Sequence, residues 1–130
     1  MGVSMILNRK KVLIVDPSPI FRRKLKAIIQ TNETLVDVTE AGTVNAAEDI
    51  LRNQPIDVVI LDIGFPQKAG IGLIDTIEGM ASGIRIVVLT SHDSVAHSVA
   101  ALEKGTVYFL PKEHAVGLRL IDLIHATIRR

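Results

Sequence analysis

The sequence predicts a doubly wound α/β sandwich, a five-stranded parallel sheet with helices on both faces. Three observations predict it. Short apolar runs rich in β-branched residues alternate with longer segments of helical periodicity. The first, third and fourth runs are apolar throughout, as strands covered on both faces are. The chain has 130 residues, 48% of them hydrophobic, which suits one compact domain. Five β/α units fill that length, and right-handed crossovers then place helices on both sides of the sheet.

The elements follow in order. Val12–Val15 is the first strand. Ser18 is placed to cap the first helix with Pro19 at its first position, and Ile20, Phe21, Leu25, Ile28 and Ile29 share one face. Leu35–Thr39, interrupted by Asp37, alternates as an edge strand does. Thr43 caps a second helix with Ala46, Ala47, Ile50 and Leu51 inward, ending before Pro55. Val58–Leu61 is the third strand, and Ile71, Ile74 and Ile77 mark a third helix. Ile84–Leu89 is the fourth strand. A fourth helix starts at Asp93 or Ser94, turns Val95, Val99 and Leu102 inward, and stops at Gly105. Val107–Leu110 is the fifth strand. A fifth helix from about 115 to 129 directs Leu118, Ile121, Leu123, Ile124 and Ile128 to the core. Residues 1–9 read as a flexible arm and 10–130 as the domain.

Composition excludes several functions. Without cysteine there are no disulfides, zinc thiolate sites or thiol nucleophiles, which fits a reducing cytoplasm. A formal charge of +1 offers no electrostatic case for direct nucleic-acid binding. No apolar stretch reaches the roughly 18 residues of a membrane span, and MGVSMILNRK is too short for a signal peptide. His92, His97, His114 and His125 lack paired ligand spacing and read as surface histidines. Arg22, Arg23, Lys24 and Lys26 read as the solvated face of the first helix, with kinase docking as the alternative.

Ligands of open parallel sheets sit beyond the carboxyl ends of the strands. The first run ends in Asp16, the third in Asp62, the fourth in Thr90-Ser91 and the fifth in Lys112, while the second supplies only Ala41-Gly42. Any one of these taken singly is an ordinary polar loop residue. Asp62, set between Leu61 and Ile63, is costly to place there without partners. Two carboxylates, a hydroxyl and an ammonium on one rim point to a site.

Over about residues 10 to 129 the chain resembles the receiver domain of two-component response regulators. The resemblance is carried by Asp16 in LIVDPSP, Asp62 in DVVILDIGFP with Pro66 and Gly70 behind it, Thr90 in VVLTS and Lys112 in YFLPK. It implies a flavodoxin-like strand order, 2-1-3-4-5. It implies a signalling module rather than an enzyme, with Asp62 as the phosphoacceptor for a histidine kinase or phosphotransfer protein. Carboxylates serve as covalent nucleophiles, and phosphoryl transfer needs positioning and charge neutralisation. Lys112 and Mg²⁺ would supply positive charge, Thr90 would bond a phosphate oxygen, and Asp16, Asp62 and the Gly64 carbonyl would hold the metal. Phe109 takes the aromatic switch position beside Thr90's role. The fourth helix, fifth strand and fifth helix form the output face, where a homodimer could assemble.

The chain departs from the family where Pro17 replaces the second of two adjacent acids. Mg²⁺ prefers near-octahedral oxygen ligands, and proline supplies neither a side-chain oxygen nor an N–H, so weak Mg²⁺ binding and slow phosphorylation are expected. Proline also stands before Lys112 rather than after it, so the Lys112–Glu113 bond is expected to be trans. The competing expectation is a pseudo-receiver, an interaction or dimerisation module that works without phosphorylation. A small cofactor-binding protein of the same fold is disfavoured, because no Gly-rich phosphate loop follows the first strand. No effector segment is expected after Arg130.

Overall fold

The computed structural model describes residues 9–33, 35–65, 69–80, 83–90, 107–111 and 118–128. Strand β1 (Lys10–Val15) leads to helix α1 (Pro19–Asn32), β2 (Val36–Ala41), α2 (Val44–Asn53), β3 (Val58–Asp62), α3 (Ala69–Glu78) and β4 (Arg85–Thr90). Strand β5 (Val107–Pro111) and helix α4 (Leu118–Ile128) complete the described elements. The helix expected over 94–104 lies outside the described residues, as does the arm except for Arg9.

The strands are parallel, in the order β2-β1-β3-β4-β5. Their alternating side chains build two cores. Leu13, Val15, Val59, Leu61, Ile86 and Val88 pack with Ala47 and Leu51 of α2 and with Leu73, Ile74 and Ile77 of α3. On the other face Val12, Ile14, Val58, Ile60, Val87, Leu89 and Leu110 pack with Leu25 and Ile29 of α1 and with Leu120 and Ile124 of α4. Each fully buried Leu, Ile or Val contributes about 1.5–3 kcal/mol relative to exposure, so both faces are strongly specified. Because β1 runs outward to β2 while β3 lies on its other side, the winding reverses between β1 and β3.

Both predicted caps are present. The Ser18 hydroxyl accepts from Phe21 N–H at 3.1 Å, and the Thr43 hydroxyl accepts from Ala46 N–H at 3.0 Å, supplying acceptors to otherwise unpaired helix-start amides. Several assignments shift: β1 starts two residues earlier, at Lys10, and β4 spans Arg85–Thr90 rather than Ile84–Leu89. β2 starts at Val36 and runs to Ala41, because it pairs with β1 from Lys10↔Val36 to Val15↔Ala41, which leaves Leu35 outside the strand and exposed. Ile20, expected inward, is 75% exposed, since the first turn of α1 starts beyond the carboxyl end of the sheet. Leu73 and Leu120, which the predicted faces omitted, are fully buried. Among the described residues no peptide bond is cis, Leu110–Pro111 included. No helix among them is long and apolar enough to cross a membrane.

Candidate functional site

The register of the sheet brings the two acids together. Val15 of β1 is aligned with Leu61 of β3, so the next residues, Asp16 and Asp62, end neighbouring strands, which run about 4.8 Å apart in such sheets. Asp16 is 1% exposed and Asp62 9% exposed, and these are the buried charged residues among those described. They flank the point where the winding reverses, the place where open α/β sheets leave a crevice for ligands.

The two carboxylates are held alike. Asp16 Oδ1 accepts from Ser18 N–H at 2.8 Å, and Asp62 Oδ1 accepts from Gly64 N–H at 2.9 Å. Each is an Asx-type turn, in which the acid bonds its own backbone two residues on. Pro17 is the middle residue of the first turn, where its fixed φ suits the bend, and it is exposed. Gly64 leaves space beside the second acid, since a Cβ there would stand 3.1 Å from Asp62 Oδ1. Gly70 lets α3 approach the loop behind Asp62, because a Cβ there would come within 2.9 Å of Ile63 Cα.

Thr90 is the last residue of β4, one step beyond the Asp62↔Leu89 pair, so its backbone borders the same rim. Phe109 is in β5 opposite Val88. The side chains of Thr90 and Phe109, and all of Pro66 and Lys112, lie outside the described residues. So do His92, His97 and His114, while His125 pairs through Nδ1 with Glu33 at the end of α1.

Arg22 corrects the expectation of a solvated basic face. Its side chain is 15% exposed; Nη1 donates to the Asp16 carbonyl at 2.6 Å, and Nε donates to Glu40 Oε1 at 3.1 Å. Gly42 makes room for it, since a Cβ there would stand 3.0 Å from Nη1. The available signal was the pairing of an arginine one helical turn past the cap with a glycine just after β2.

Two buried carboxylates at neighbouring strand ends offer oxygen donors, a chemistry that fits a hard cation that keeps several of its waters. Among the described residues no group of three or more His, Cys, Asp or Glu side chains gathers around one point.

The family model for the response regulator receiver domain matches residues 12–124. This chain belongs to that family. Receiver domains are generally signalling modules that use Mg²⁺ at the phosphorylation site and take phosphoryl groups from histidine kinases or phosphotransfer proteins. The chain is 32% identical over 120 residues to response regulator MprA of Mycobacterium sp. (strain KMS), covering 92% of this chain and 51% of the relative. It is 28% identical over 123 residues to response regulator protein PilR of Pseudomonas aeruginosa, covering 95% of this chain and 27% of the relative. It thus spans about half or less of the length of these curated relatives. A response regulator receiver protein from Pseudomonas putida matches with a TM-score of 0.79 at 27% identity, over 91% of this chain and 97% of that one.

Proposed function

We propose that residues 10–130 form a phosphoacceptor receiver domain that takes its phosphoryl group on Asp62 from a histidine kinase or phosphotransfer protein. The observation that carries the proposal is the burial of Asp62 at a strand end beside Asp16, at the switch of winding in a receiver fold. An Asp62 oxygen attacks phosphorus as the P–N bond of a phosphohistidine breaks, and the imidazole nitrogen retains the bonding electron pair. The Gly64 N–H on Oδ1 holds the carboxylate plane during the approach. Asp16, Asp62 and the Gly64 carbonyl would hold Mg²⁺, which when bound neutralises charge on the transferring group. Lys112 and Thr90 complete the set, the first as a fixed cation and the second as a hydrogen-bond donor to phosphate.

In this reading Pro17 weakens Mg²⁺ binding, because Asp16 is the one acid that the end of β1 supplies. Strand β5 and the helix expected over 94–104 complete the doubly wound five-unit order. Phe109, acting with Thr90, would pass the change to a face built from that helix, β5 and α4, where a homodimer could assemble. The cytoplasm is the compartment that suits such a module. Residues 1–9 would be an arm.

Mass spectrometry after incubation with acetyl phosphate and Mg²⁺ tests the proposal. One phosphoryl adduct is expected, absent from Asp62→Asn; an adduct that survives this substitution overturns the assignment. Lys112→Ala is expected to abolish the NMR shifts that beryllofluoride induces in α4. The second reading, a phosphorylation-independent pseudo-receiver, is favoured by Pro17, and a wild-type protein that gains no phosphate at saturating Mg²⁺ would support it.

A further inference from the structure

We infer that Arg22 is a positioning residue for the acid rim: its guanidinium holds the turn that aims the Asp16 carboxylate, and so sets cation affinity at the site. The inference rests on the phosphoacceptor reading for what the rim binds. It goes beyond that reading by giving a role to a residue outside the acids, the hydroxyl and the ammonium.

The carbonyl that accepts from Arg22 Nη1 belongs to the peptide joining Asp16 to Pro17. Proline fixes the next φ, and Ser18 N–H holds the carboxylate itself through Oδ1. Asp16 N–H donates to the Ala41 carbonyl at 3.1 Å. Held at its amide, its carbonyl and its carboxylate, Asp16 retains little torsional freedom, and of these contacts the guanidinium supplies the one that spans elements through a side chain. Nε anchors the guanidinium to Glu40 of β2, while Arg22 N–H donates to the Ser18 carbonyl at 3.0 Å. β2, α1 and the turn after β1 are therefore tied at one group. A guanidinium presents several donors in fixed directions, whereas an ammonium is a compact point charge.

Position and charge pull in opposite directions here, which makes the inference testable by sign. A cation beside the rim opposes the binding of another cation. If Arg22 acted through charge, removing it would tighten Mg²⁺ binding. If it acts by aiming Asp16, removing it weakens Mg²⁺ binding, because Pro17 leaves the end of β1 no second acid to compensate. Glu40, bonded to Nε, offsets the charge and leaves the positioning.

The experiment compares the full chain with Arg22→Met, Arg22→Lys and Glu40→Gln. Mg²⁺ is titrated against rim amide shifts, and hydrogen exchange at Ser18 is followed without metal. Arg22→Met is expected to weaken Mg²⁺ binding about tenfold, as loss of a group supporting a metal ligand typically does. Ser18 exchange should accelerate by about tenfold more than exchange at the β3 core amides, which report global stability. Arg22→Lys should recover part of both effects, and Glu40→Gln should show smaller losses in the same direction. With acetyl phosphate, the half-saturating Mg²⁺ concentration should rise while the rate at saturation stays within about twofold, the pattern of lost uniform binding. Unchanged or tighter Mg²⁺ binding in Arg22→Met overturns the inference. So does Ser18 exchange that merely tracks the β3 core. Should Arg22→Met fail to fold, Arg22→Lys and Glu40→Gln decide by the same measures. A wild type that takes neither Mg²⁺ nor phosphate would end the phosphoacceptor reading, and metal-free Ser18 exchange would then decide the role of Arg22.

Discussion

At the amino-terminal end of the sheet, the half-buried Asp37 accepts from Arg9 Nε at 2.8 Å and Lys11 Nζ at 2.5 Å. At the carboxyl end, Asp16 and Asp62 are buried, and each accepts a backbone N–H from two residues further along its own loop. Asp57, also at the amino end and likewise half-buried, accepts from Lys11 N–H at 2.8 Å and bridges β1 to β3. The contrast separates acids that join elements from acids that are aimed. Cross-strand partners make Asp37 and Asp57 part of the architecture. Local turns hold Asp16 and Asp62 in a chosen direction at the crevice, where two desolvated carboxylates on neighbouring strands favour a bound cation.

The contrast can be broken at either end. The largest stability loss is expected from Asp57→Ala, which deprives the Lys11 N–H of its acceptor. Urea unfolding should show a loss of about 1–3 kcal/mol, with phosphate uptake at Asp62 retained. Loss of phosphate uptake from a folded Asp57→Ala protein would mean that the two ends are coupled.

At the carboxyl end, Pro17→Asp should tighten Mg²⁺ binding about tenfold, equivalent to roughly 1.4 kcal/mol. The same variant should melt lower in EDTA, since a third close carboxylate adds repulsion and the loss of proline frees the unfolded chain. Equal Mg²⁺ affinity in the two proteins would show that Asp16 already supplies the missing ligand.

A smaller effect of opposite sign is expected from Asp62→Asn. The amide oxygen still accepts from Gly64 N–H, and one of two adjacent buried charges disappears. Without metal the variant should gain up to about 1 kcal/mol, and saturating Mg²⁺ should erase that advantage. A metal-free stability below wild type would count against repulsion at the rim.

The smallest effect belongs to Asp37. Its hydrogen bonds from Lys11 and then Arg9 hold its carboxyl below the ordinary value of 3.8. Its contribution is therefore present above that value and is lost as the pH falls through the lowered folded value. Solvent screening keeps it small. Asp37→Asn should slightly lower the melting temperature at neutral pH and flatten the acid limb of the stability profile. An unchanged acid limb would assign the acid sensitivity to other carboxylates.

The sequence by itself determined the features that depend on neighbours within a few residues. All-apolar Val12–Val15 and Val58–Leu61 had to be covered on both faces, and Ser18 and Thr43 had to meet the amides of the helix starts they precede. An acid directly after each of those strands was equally legible as a rim residue. Only the tertiary structure decided what depends on which strand lies beside which. The extent of β2 followed its register with β1, and Ile20 was exposed because its turn begins beyond the sheet. Arg22 is spelled like its basic neighbours Arg23 and Lys24. It turned inward because β2 arrives beside β1, bringing Glu40 to its Nε and the gap left by Gly42 to its Nη1. The pairing of Asp16 with Asp62 has the same origin, since the reversal of winding between β1 and β3 brings together two acids 46 positions apart. Periodicity and capping are written in local chemistry, whereas these contacts are settled when strands distant in the chain find their register.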